Sequence, residues 1–177
     1  MSDYTLDPIF ERIVAQMLAT SPAFFKRVGK HLASEIFREE DARTVVDVCR
    51  MIYEKSGKPP ASSVFIRQRL RTLNDAGKLE NNSMQAALQL LDDADEDADA
   101  YSASDVLEEL LPVLQRFAQK GALESALETF SKRGDMSQVS DMLSQALRIG
   151  AAESVLGSRL SSDVIDQIED LRNAQKL

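Results

Sequence analysis

From Val106 to Phe130 the apolar residues return every three or four positions, through Leu107, Leu110, Leu111, Leu114, Phe117, Ala118, Ala122 and Ala126. Strands run about five or six residues with a period of two, so a repeat of this spacing and length leaves only helix. Pro112 stands early in the run, and its ring and missing N–H predict a kink or a late start there. Gly134 ends the run, and Asp135 caps a return helix bearing Val139, Met142, Leu143, Ala146 and Leu147. Two antiparallel helices joined by about three residues make an αα-hairpin.

The remainder of the chain points the same way. Its 177 residues include only 7 Gly and 5 Pro, and good helix formers dominate. Hydrophobic residues make up 44% and charged residues 28%, the balance of a globular chain with a core. The expected fold is all-α: a compact helical bundle over 1–102, the hairpin over 103–149, and a connector with a C-terminal linker helix over 150–177.

Within the bundle, Thr5 or Asp7 caps a first helix with Pro8 in its first turn. Its apolar stripe reads Ile9, Phe10, Ile13, Val14, Met17 and Leu18. Ser21-Pro22 restarts the chain, and Phe24, Phe25, Val28 and Leu32 extend the apolar surface. The run Arg38-Glu39-Glu40-Asp41 suits a helix N-terminus, where negative side chains oppose the dipole. Ala42, Val45, Val46, Cys49, Ile52 and Tyr53 form the next buried face. Ser62 or Ser63 caps a helix carrying Val64, Phe65, Ile66, Leu70 and Leu73, which a Schellman stop at Gly77 ends. Asn82-Ser83 opens another, with Met84, Ala87, Leu88 and Leu91.

Several chemistries are excluded by spacing. "EKSGKPP" (54–60) looks like the end of a phosphate-binding loop, but Ile52 stands where the first glycine belongs and Pro59 where Ser or Thr belongs. It is a helix stop, with Gly57 as a left-handed terminus, and no nucleotide binding is expected. "DDADEDADA" (92–100) lacks the central Gly and the closing Glu of a calcium loop and reads as a solvated acidic loop. One Cys (Cys49) and one His (His31) make neither a disulfide nor a tetrahedral zinc site; both read as ordinary packing positions, with His31 toward a helix surface or end.

No nucleophile–base pair is present, so no catalytic, metal or cofactor-binding residues are assigned, and the expected cofactors are none. A net charge of −8 argues against strong direct nucleic-acid binding, with "RQRLR" (67–71) the best local basic patch. No stretch is long and apolar enough to span a membrane, and the N-terminus lacks the basic and apolar runs of a signal peptide, so a cytoplasmic place is expected.

Interaction is the remaining class. The hairpin has more apolar face than its two helices need for each other, so Leu110, Leu114, Phe117 and Met142 are candidates for a self-association or partner surface. The competing reading places the same leucines inside the domain's own core. In the tail, Val164, Ile165, Ile168 and Leu171 form a second stripe, on a segment too short to be a stable helix alone.

The order of these parts resembles the N-terminal collar of DnaB-type replicative DNA helicases. The likeness rests on "IFERIVAQML" (9–18), on 36–79 with its "SGKPP" turn and "LNDAGKL" ending, and on the segment from Tyr101 into the hairpin. The tail resembles the linker helix that joins collar to motor. The resemblance implies a non-catalytic ring-forming domain that associates with itself and docks primase or a helicase loader. It also implies that Val164, Ile165, Ile168 and Leu171 dock on a neighbouring subunit. No motor motif accompanies it, so the chain reads as a collar fragment or a stand-alone derivative. The alternative is a stand-alone helical adaptor that binds or regulates a replication partner.

Overall fold

The computed structural model places Asp7 at the head of α1 (Pro8–Thr20), where its carboxylate accepts the amide of Ile9 at 2.9 Å. Residues 6–29, 31–96, 101–133, 137–142 and 144 are described, and among them the fold is all-α with no strand. A three-residue turn of helix, α2 (Pro22–Phe24), runs into a π-helical turn over Phe25–Gly29. A 3₁₀ turn at Ser34–Ile36 leads to α3 (Glu40–Ser56), followed by α4 (Ser63–Asp75), α5 (Asn81–Glu96) and α6 (Ala103–Arg133).

The chain divides into two compact units at Leu107/Glu108, within α6 and a few residues beyond the expected boundary. In the first unit, α3 packs on α1 and on α5, and α5 also meets α1 and α4. Val14, Leu18, Phe24, Phe25, Val28, Leu32, Phe37, Val45, Val46, Ile66, Leu70, Leu90 and Leu91 are buried in the described structure. The rings of Phe25 and Tyr53 sit 5.4 Å apart, tilted. A Cβ on Gly29 would meet the Phe25 ring at 2.6 Å, so this glycine lets the π turn pack against its own aromatic.

The turns obey their sequence signals. Gly57 ends α3 at φ +67° and donates to the Tyr53 carbonyl at 2.7 Å. Gly77 follows α4 at φ +66°, with Gly77 N–H on Asn74 O and Lys78 N–H on Leu73 O, both 2.9 Å. Those two bonds are the Schellman pair. Pro112 lies inside α6, whose helix already runs from Ala103, so the late start is corrected.

Three further expectations are corrected. The buried stripe of α1 is Glu11, Val14, Ala15, Leu18 and Ala19, rotated from the apolar one, and Ile9 stands 70% exposed. α5 begins at Asn81 and continues to Glu96, so Asp92, Asp93 and Asp95 belong to a helix and not to a loop. His31 is buried and not at a surface.

Cys49 lies fully buried on α3, and burial pushes its thiol up, far above neutrality. The group stays a protonated thiol at neutral pH, and the nucleophilic thiolate is absent. Native protein will therefore react with Ellman's reagent only as fast as it opens, while urea-unfolded protein will react at the ordinary rate of a free cysteine. Equal rates in the two states would place Cys49 at the surface.

Candidate interaction surfaces

One carboxylate fastens two helices. Glu11, on α1, is fully buried and its Oε2 accepts the backbone amides of Arg38 and Glu39, each at 2.8 Å. These amides lead into α3, whose capping residue Glu39 makes no side-chain cap bond. A negative charge there also suits the helix dipole. Its other oxygen, Oε1, has no hydrogen-bond partner. Arg43 closes the same junction from α3, donating through Nε to Phe37 O at 3.0 Å. Glu11 was missed in the sequence, although it stands in register with Val14, Ala15 and Leu18.

The acids at the end of α5 are structural. Arg67 donates to Asp92 and, at 2.8 Å, to Asp95, which also accepts from the Ser63 hydroxyl at 3.1 Å. Arg12 donates to Asp93 at 3.0 Å and lies 3.6 Å from Asp41. Carboxylates are repelled by the negative end of the dipole at a helix C-terminus, and these cations offset that cost. Among the described residues no group of three or more His, Cys, Asp and Glu stands together as a metal site. The basic patch "RQRLR" is thereby divided: Arg67 is engaged by acids, Arg69 is half-buried, and Arg71 is exposed.

The phosphate-loop lookalike at 54–60 spends its polar groups on itself. The Ser56 hydroxyl donates to Ile52 O at 2.8 Å and accepts the Lys58 amide at 3.2 Å. Beside it, α3, the Gly57–Pro60 turn and α4 frame a solvent-open groove of about 390 Å³ with Ile52, Pro59 and Phe65 along it. Val64 and Phe65 of α4 are 66% and 60% exposed.

On α6 the expected surface moves. Leu110 and Leu114 are buried, at 0% and 3% exposure, so their placement on an exposed face is corrected. Phe117 and Met142 are half-buried. The exposed apolar residues are Leu123, Leu127 and Phe130, at i, i+4 and i+7 on one face. Ala122 and Ala126 beside them are buried, as is Val139 on the helical residues 137–142. Lys120–Glu124 and Glu128–Lys132 pairs flank the row. The hairpin's turn and the linker-docking residues Val164, Ile165, Ile168 and Leu171 lie outside the described residues.

Comparison with protein-family models, curated proteins and solved structures gives no match. Among the described residues no helix is long and apolar enough to cross a membrane.

Proposed function

We propose that the chain is a non-catalytic oligomerisation and docking domain of the kind that forms the collar of DnaB-type replicative helicases, without the ATPase motor. The single observation that carries this reading is the row Leu123, Leu127 and Phe130, which stays 46–68% exposed on a helix whose neighbouring face is buried. An unpartnered apolar row of this kind is matched by a second copy of itself across a two-fold axis. The resemblance of 9–18, 36–79 and the hairpin region to the collar family supplies the rest, with primase or a helicase loader as the docked partner.

Covering side chains that are already half-buried is worth about 0.8–1.5 kcal/mol each, half the gain of full burial. Three on each copy give about 5–9 kcal/mol before association costs of 4 kcal/mol or more, so the self-affinity is weak, no tighter than about 0.2 mM. Ring closure and a motor would raise it by multivalency.

Sedimentation equilibrium tests this directly. The wild-type chain is expected to show a mass that rises with concentration at about 0.1–2 mM, the range set by that affinity. Leu127→Asp with Phe130→Asp is expected to stay monomeric with its helical circular dichroism unchanged. A wild-type chain that is monomeric throughout, or variants that still associate, would overturn the reading.

A further inference from the structure

The groove between α3 and α4 combines two features that rarely lie idle together. Ile52, Pro59 and Phe65 give it apolar walls, and Phe65 remains 60% exposed. Lys58 and Arg69 line the same groove, and among the described residues neither makes an ion pair. Two positions earlier on α4, Arg67 is held by Asp92 and Asp95. In a chain with 29 acidic and 21 basic residues, the acids outnumber the bases, yet these two cations face an apolar surface with none of them.

An open groove covers too little of a small ligand, whose sites bury most of its surface. It suits a polypeptide segment laid along it, with apolar anchors below and charges at the rim. We propose that this groove docks a short acidic segment of a partner protein: its apolar side chains cover Ile52, Pro59 and Phe65, and its carboxylates pair with Lys58 and Arg69. Charge selects the partner and its orientation, while the apolar contact supplies most of the holding. The inference uses the first unit alone and stands apart from self-association through α6.

The test uses the full chain and a fluorescein-labelled peptide of about sixteen residues, with Leu at i, i+3, i+4 and i+7 spacing and Glu at the flanks. Fluorescence anisotropy is expected to show saturable binding that weakens as salt rises. Combined Lys58→Glu and Arg69→Glu should weaken it about tenfold or more, the scale of two rim charge pairs reversed. Phe65→Ser should weaken it comparably, and Leu123→Asp should leave it unchanged. Amide chemical-shift changes should centre on Ile52, Ser56, Phe65 and Thr72. Far-ultraviolet circular dichroism of each variant checks that the fold is kept.

No saturable binding, or equal binding of a peptide with Lys in place of Glu, overturns the proposal. So does binding that the groove variants leave unchanged. An aromatic beside two cations also fits a single-stranded nucleic acid. A thymidine oligonucleotide that binds through the same residues while the acidic peptide does not would overturn it too. A lower self-associated mass for the Lys58→Glu, Arg69→Glu chain would give the groove to a second copy, with the same result.

Discussion

Glu11→Ala is expected to lower stability by about 2–4 kcal/mol, the cost of leaving two part-buried amides without the acceptor they share. Both amides, of Arg38 and Glu39, meet the one oxygen Oε2. The removal also leaves a void and takes away a charge at the head of α3, whereas releasing a buried carboxylate from desolvation gives some of the loss back. Glu11→Gln keeps an acceptor oxygen of the same reach and is expected to cost less than half as much. Urea unfolding, with the midpoint lowered and the slope unchanged, is the measurement. An alanine variant within about 0.5 kcal/mol of wild type, the range of ordinary surface changes, would mean that Glu11 does not fasten α3.

Leu110→Asp is expected to abolish cooperative unfolding. Leu110 has no exposed surface, so the substitution combines a large-to-small loss of about 2–5 kcal/mol with a buried, unpaired carboxylate. Domains hold only about 5–15 kcal/mol in total. Leu110→Ala should unfold cooperatively at a lower temperature. Thermal melts followed by circular dichroism separate this from the interface reading: a folded Leu110→Asp chain of reduced mass would return Leu110 to the partner surface.

Local chemistry was legible in the sequence and tertiary choice was not. Asp7 with Pro8, Gly57 before two prolines, and Gly77 after Asn74 each act within a few residues, and each forms the cap or stop its neighbours imply. The acidic run at 92–100 was read as a solvated loop because its carboxylates are dense and lack the spacing of a calcium loop. Asp92 and Asp93 are instead held on a helix by pairing with Arg67 and Arg12, which lie 25 and 81 residues away, and no local window contains them. Periodicity likewise fixed α6 as a helix without saying which side would be covered. Leu110 and Leu114 took the buried side, and Leu123, Leu127 and Phe130 the open one. On α4, Ile66 is covered while Val64 and Phe65 stay exposed, because three consecutive helical residues cannot all face one core.

The meeting of α1 with α5 has a consequence in time. Arg12 reaches Asp93 across 81 residues, and Gln16 reaches the Leu90 carbonyl across 74. Closing so long a loop costs only about 0.6 kcal/mol more per doubling, so the equilibrium barely registers the distance. Synthesis registers it fully. At roughly 5–20 residues per second, α1 emerges about 4–16 s before its partner exists. Through that interval Val14 and Leu18, which end with almost no exposed surface, sit on a helix that has α3, α4 and the aromatic turn but not yet α5 to cover it. The first helix made is thus among the last to be enclosed, and the nascent chain carries its apolar face as a waiting surface until α5 arrives.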